Sequence, residues 1–452
     1  MFVVADVLAR FKCVQSSNRE TNLLFPVASH YSGNTAQSTA SLIKGFLDGV
    51  RSDDCINAFN LYKRIYKVPV NVIRRFVSSD YLMSYFNEEI IWELQSLDVS
   101  CDFSDAYTTS DSFFDDYVKA IFRQYSAFGL LIKNRADQLA INYDDSTWRE
   151  ETKALIDNTD IRHISHRNTI LSALNNLSGD WEWLRKTGYG VKYNLDGEEW
   201  IIDPMFDSEL FMVFDLFVYW KNHLNTPIID SALFFDTLFS VLKDKKYTRE
   251  CSISSEERVL ISHIIDCLPC SVFVAEEHLK NWIGKKFFAE QKLLHPDFRT
   301  LSYRILGMAL LDGKRMSASR GHAVLSRDLI KEYGGTITRL VLLMSGGNIS
   351  KTYNYESTLP LTAKSILDRF SDYLVFLKSN YEGGTQCIDI SFYTERIQSY
   401  VEDGYLRQAI IELLVNIPSE HKDLTFEGRC ELLSFYKKYL RIFIPDYANC
   451  YC

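Results

Sequence analysis

Apolar residues recur at helical spacing from the first turn of the chain, where Val4, Val7, Leu8 and Phe11 share a face and predict an amphipathic helix. The next apolar run, NLLFPVA over residues 22–28, is short and bounded by polar residues, and His30, Tyr31, Ser32 and Gly33 follow it. That pattern predicts a buried strand delivering a polar loop. Helical patterns continue to about residue 97, residues 110–129 read as a helix closed by Gly129, and residues 130–133 read as a strand. From 138 to about 180 the chain turns polar and irregular, with Asp144, Asp145, Glu150 and Glu151 clustered, and reads as an insertion or connecting module. Residues 200–204 form a short apolar run and residues 210–220 a strongly apolar, aromatic helix. SVFV, residues 271–274, predicts a buried strand ending on Ala275, Glu276, Glu277 and His278, the position at which open α/β sheets place ligand groups. Residues 303–311 read as a strand that ends in the turn Asp312-Gly313. Helices are predicted over 326–333 and 336–344, and from 361 to 444 the pattern is helical throughout, as in Ile366, Phe370, Tyr373, Leu374 and Leu377. The expected fold class is therefore α/β, followed by an all-α bundle.

Composition adds bounds to this picture. A chain of 452 residues with 46% apolar and 24% charged residues has ample material for two or three cores. The formal charge of −9 gives no global pull toward nucleic acid, and no basic patch stands out along the sequence, so nucleic-acid binding is expected to be weak or absent. Asp6 and Arg10 interrupt the apolar stretch at the amino terminus, and no run of about 18 uncharged apolar residues occurs, so the reading is a cytoplasmic protein without a membrane span. Ten irregularly spaced cysteines read as reduced thiols. Cys267 and Cys270 form one CxxC without a matching second pair, and His163 and His166 suit a surface loop, so no metal site is expected. Glu276 and Glu277 are adjacent at a strand end and point in different directions, which disfavours an acid–base pair. The aromatic helix at 211–220 reads as core rather than as a base-stacking platform.

The segment LLDGKRMSASRGHAVL, residues 310–325, carries the strongest functional signal. Within it Arg315, Met316, Ser317, Ala318 and Ser319 resemble the KMSKS signature of class I aminoacyl-tRNA synthetases, with arginine for the first lysine and alanine for the second. Three further pieces keep the same order along the chain: ADVLARF with LLFPVASHYSGN (5–34), LDVSCDFSDAYTTS (97–110) and EEWIIDPMFDSELFM (198–212). Together they resemble leucyl-tRNA synthetases of the archaeal and eukaryotic type. The resemblance implies a Rossmann-type catalytic domain followed by an anticodon-binding-like bundle. Its parts would be residues 1–137 and 181–358 as the two catalytic halves, 138–180 as a short connection in place of an editing domain, and 359–452 as the bundle. It also implies ATP with Mg2+ as a substrate and leucine or a similar amino acid as its partner. Lys314, Arg315, Met316, Ser317 and Ser319 would face nucleotide, and His30, Tyr31, Gly33, Glu277 and Trp282 would line the substrate pocket.

Three departures from the family pattern bear on activity. Charge builds on pyrophosphate as the amino acid is activated, so cations around the phosphates matter, and a methyl group at Ala318 cannot replace an ammonium. Arg315 keeps a charge but not the geometry of lysine. Trp282 stands where the family usually has histidine. Measured against the family, the chain also begins inside the helix that follows the HIGH signature, so the first strand and that signature are expected to be absent or supplied by a protein partner. The expected function is a leucyl-tRNA-synthetase-like protein without editing and with impaired aminoacylation as a lone chain. The alternatives are an active amino-acid-activating ligase acting on a small molecule or carrier, and the carboxy-terminal part of a split or truncated leucine-tRNA ligase.

Overall fold

The structure is a computed structural model that describes residues 1–15, 25–31, 34–133, 139–177, 183–186, 190–195, 197–245, 252–317, 321–379 and 383–451. The predicted amino-terminal helix spans Phe2–Gln15 and buries Val3, Val7 and Phe11, one residue per turn of a single face. Two short parallel strands follow, β1 (Ala28–Ser29) and β2 (Tyr107–Thr108), with Ala28 opposite Tyr107. The strand predicted over 22–28 is thus observed only at its end; residues 22–24 lie outside the described residues, and Pro26 has no N–H to donate to a ladder. Between β1 and β2, helices from Asn34–Leu47 to Ser79–Ser96 close a small core on Ile43, Phe59, Ile73 and Phe76.

The helix Ser112–Ala127 ends at Gly129, whose φ of 65° is the left-handed conformation that glycine adopts without penalty. A hairpin of β3 (Leu131–Lys133) and β4 (Leu139–Ile141) comes next. The polar middle is not irregular. It holds the helix Ser146–Asn158, β5 (Asp160–Ile161) and the helix Ile164–Asn175, and it sends Trp148, Ile156, Ile161, Ile170 and Leu174 into the main core. Its polar surplus is the outward face of two amphipathic helices, and Asp145 caps the first of them by accepting from the amides of Thr147 and Trp148. His163 and His166 stand at the start of the second helix, where His166 is buried rather than on a surface loop.

An antiparallel sheet follows, in the order β6 (Leu184–Arg185), β8 (Glu198–Ile202), β7 (Lys192–Leu195). The helix Phe211–Leu224 is core, as predicted, burying Met212, Val213, Phe214, Leu216 and Phe217. The main parallel sheet runs β5, β10 (Ser302–Leu306), β9 (Ser271–Ala275), with Ser302 opposite both Asp160 and Ser271.

The single strand expected over 303–311 divides at Gly307. After it, β11 (Ala309–Leu311) joins a different sheet, antiparallel to β12 (Lys314–Arg315) and parallel to β13 (Tyr353–Tyr355). The reason is a close backbone approach: a Cβ at Gly307 would lie 2.1 Å from the carbonyl oxygen of Lys351. Past Leu359 the chain is helical, including Leu359–Lys378, Ile390–Glu402 and Phe426–Phe443. The amino-terminal helix packs into this bundle's core together with Gly335–Met344, so the two ends of the chain share one hydrophobic cluster. No helix among the described residues is long and apolar enough to cross a membrane.

Candidate functional site

Two hydrogen bonds hold the end of β1 against the end of β2. The amide of Thr109 donates to the Ser29 carbonyl at 3.1 Å, and the amide of Tyr31 donates to Thr109 Oγ1 at 2.8 Å. Successive side chains then diverge, as they must at a strand end. His30 Nε2 lies 2.7 Å from Asp207 Oδ1, whereas the Tyr31 phenol is pushed up by burial and by the carboxylates of Glu88 and Asp80. Asp207 ends a short helix, Pro204–Asp207, that follows β8 and is capped by Asp203, whose Oδ1 accepts from the Met205 amide at 2.7 Å. The next residue, Ser208, accepts from Trp282 Nε1 at 3.2 Å. Trp282 packs on Phe211 with ring centroids 6.1 Å apart.

The segment bearing Trp282 also carries Glu277, whose carboxylate lies 3.6 Å from the Arg315 guanidinium on β12. These contacts link His30 to the 207–208 segment, that segment to Trp282, and the segment carrying Glu277 and Trp282 to Arg315. Glu276 does not share this direction, since its charge acts on His166.

The hairpin is shaped by its turn. Asp312 and Gly313 have φ of 46° and 78°, and the Gly313 amide donates to Asn354 Oδ1 at 2.7 Å. Lys314 and Arg315 are exposed on β12, and Met316 packs against the bundle core. Ser317 and His322 exchange backbone hydrogen bonds of 2.7 and 3.0 Å, which fixes both ends of the loop between them. Ala318 and Ser319 within that loop, and Gly33 after β1, lie outside the described residues.

Behind the site is a buried charged layer. Lys286 Nζ is 2.7 Å from Glu290, which also accepts from Thr300 Oγ1 at 2.6 Å and from Tyr303 at 3.0 Å. Burial lowers Lys285 to about 8, although Glu209 and Asp203 favour its charged form. Burial raises Asp215 to about 7 against the opposing hydrogen bond from Tyr107, which donates to it at 2.6 Å and so ties β2 to the Phe211–Leu224 helix. The EEWIIDPMFDSELFM segment is visible in sequence, but Asp207 and Ser208 carry no distinguishing local signal within it, because only the tertiary fold sets them against His30 and Trp282.

For His30, burial opposes the charged imidazole, yet the hydrogen bond and charge of Asp207 outweigh it and the pKa is raised. A raised folded pKa gives stability that is fully present below the unfolded value, about 6.5, and lost as pH rises through the folded value. With the His30 side chain 44% exposed, solvent screening keeps the effect modest. Asp207→Asn is thus expected to lower the melting temperature more at about pH 5.5 than at about pH 8.5. Equal losses at both values would show that the pair carries no charge.

No family model matches the chain. In three dimensions it is similar to Mycobacterium tuberculosis methionyl-tRNA synthetase bound by methionyl-adenylate, with a TM-score of 0.61, 12% identity, and coverage of 99% of this chain and 88% of that one. A second complex of the same enzyme gives a TM-score of 0.60 at 13% identity, with the same coverage. The fold is that of a class I aminoacyl-tRNA synthetase: a Rossmann-type α/β unit followed by a helical bundle. In sequence the chain is similar to the leucine–tRNA ligase of Methanothermobacter thermautotrophicus, 25% identical over 215 residues that cover 48% of this chain and 22% of the ligase. Leucine–tRNA ligase 2 of Sulfolobus acidocaldarius is 29% identical over 133 residues, covering 29% of this chain and 13% of the ligase. The Methanococcoides burtonii ligase is 22% identical over 247 residues, covering 52% and 24%. The chain is leucyl-tRNA-synthetase-like, and the aligned stretch spans about a fifth of the length of the first of these relatives.

Proposed function

We propose that this chain binds an aminoacyl-adenylate-type ligand between the end of β1 and the β11–β12 hairpin, and that it activates amino acids far more slowly than an ordinary synthetase. The three contacts His30–Asp207, Ser208–Trp282 and Glu277–Arg315 carry this reading, because they tie four distant sequence segments together near the strand ends where open α/β sheets bind ligands. His30 and Trp282 supply a hydrogen-bonding group and an apolar wall for the amino acid. Lys314 and Arg315 supply cations for the phosphates of ATP with Mg2+, and Ser317 and Ser319 supply hydroxyls. Leucine or a similar apolar amino acid is the substrate favoured by the similarity to leucine–tRNA ligases.

Impairment is supported by Ala318 at the second lysine position and by the Glu277 carboxylate beside Arg315, which competes with phosphate for that cation. The folding of residues 139–177 into the main core supports a protein without an editing module. The charge of −9 supports weak tRNA binding. Among the described residues β1 and β9 are edge strands of two separate sheets, so each leaves an edge to which a strand from another segment or another chain can add. In the test, amino-acid-dependent ATP–pyrophosphate exchange is measured with the 452-residue chain and leucine. Exchange close to background is expected, and exchange at the rate of an ordinary synthetase would overturn the reading.

A further inference from the structure

Away from this site, Asp102, Asp105 and His223 each offer a ligand atom, and these atoms all lie within 4.8 Å of one another. Asp102 and Asp105 bracket the short turn Phe103–Asp105, which feeds directly into β2, and His223 lies in the last turn of the Phe211–Leu224 helix. Local hydrogen bonds hold both aspartates in place. Asp102 Oδ1 accepts from the Ser104 amide at 2.9 Å and from Ser104 Oγ at 2.6 Å, and Asp105 Oδ1 accepts from Asn222 Nδ2 at 2.8 Å.

A second observation separates this group from an ordinary surface cluster. The Asp105 side chain is only 6% exposed, and its Oδ2 accepts no hydrogen bond while facing His223 Nδ1 at 3.4 Å. A buried carboxylate oxygen without a donor is costly, and nearly all such oxygens find a partner. Ligand atoms around a tetrahedral ion with bonds of about 2.1 Å stand about 3.4 Å apart, so the Asp105–His223 spacing already suits a shared ion.

We propose that Asp102, Asp105 and His223 bind one divalent transition-metal ion, of which Zn2+ is the best match. Two carboxylates and an imidazole suit borderline cations over Mg2+ and Ca2+, which favour all-oxygen shells. His223 Nδ1 also lies 2.9 Å from the Tyr219 carbonyl, so binding through Nδ1 places the ring proton on Nε2 and releases that contact. The ion clips the entry to β2 onto the Phe211–Leu224 helix. Since β2 is the strand on which β1 is registered, the ion positions His30 and Tyr31 from a distance. The site does not depend on what the pocket binds.

The test is calorimetric titration of the chelator-treated full chain with Zn2+, Mn2+, Mg2+ and Ca2+ salts. One equivalent of Zn2+ is expected to bind more tightly than Mg2+ or Ca2+, weakened at least tenfold in His223→Ala and in Asp105→Asn. Cys267→Ser, which removes a neighbouring exposed thiol, is expected to leave binding intact. Co2+ loading of the unmodified chain provides a readout independent of the folding of either ligand variant: a visible ligand-field spectrum without a thiolate charge-transfer band. Absence of saturable binding, binding unchanged in both folded ligand variants, or a thiolate band would each overturn the proposal.

Discussion

Asp6→Ala is expected to destabilise the folded chain by about 3–5 kcal/mol, the range for removing one partner of a buried ion pair. The Asp6 side chain is fully buried and pairs with Arg339, which is 1% exposed, and it also accepts from Arg10 Nε at 3.0 Å and from the Ser100 amide at 2.8 Å. Arg339 donates further to the carbonyls of Phe443 at 2.6 Å and Leu97 at 2.9 Å. One guanidinium therefore joins the amino-terminal helix, the segment leading toward β2 and the end of the bundle. Removing the carboxylate leaves that cation buried and uncompensated. Urea unfolding gives the measurement, and the double variant with Arg339→Met is expected to recover part of the loss, because the stranded charge goes with it. A loss below about 1 kcal/mol for Asp6→Ala would place the pair in the range of surface ion pairs instead.

Ala318→Lys is expected to raise leucine-dependent pyrophosphate exchange by about 100-fold, near the lower end of what one preorganised charge contact contributes. The substitution returns an ammonium to the KMSKS-like loop, whose ends are pinned by the Ser317–His322 hydrogen bonds. Effects of groups that act as a unit are not additive, so the gain falls short if a second cation is also misplaced. Adding Glu277→Gln, which frees Arg315 from its carboxylate, is expected to increase exchange further. Unchanged exchange in both variants, with ATP binding intact, would move the cause of impairment away from this loop.

The elements with strong periodicity were legible in the sequence because one local pattern decided each of them. The amino-terminal helix, the 211–224 helix, the strand at 271–275 and the helices of the carboxy-terminal bundle all follow it. Departures arose where tertiary contacts intervene. Gly307 breaks one apolar run into strands of two sheets because the backbone of Lys351 passes against it. The polar middle hid two helices whose buried apolar residues face one core. Asp6 and Arg10 were visible as charges in an apolar stretch, but their meaning depended on Arg339, far along the chain.

The candidate site divides in the same way. His30, Glu277, Trp282 and Arg315 follow from motif and strand-end position, whereas Asp207 and Ser208 join them only through folding. The Asp102–Asp105–His223 group shows the same limit, since His223 lies more than a hundred residues beyond the two aspartates and no spacing motif links it to them.

The proposed adenylate-type pocket, retained although activation is weak, is tested more directly by ligand binding than by turnover. Calorimetry of the full chain with a non-hydrolysable leucyl-adenylate analogue is expected to show saturable binding at one site, weakened at least tenfold by Trp282→Ala and by His30→Ala in protein whose melting temperature confirms folding. No binding to the unsubstituted chain, or binding indifferent to both substitutions, would contradict the account.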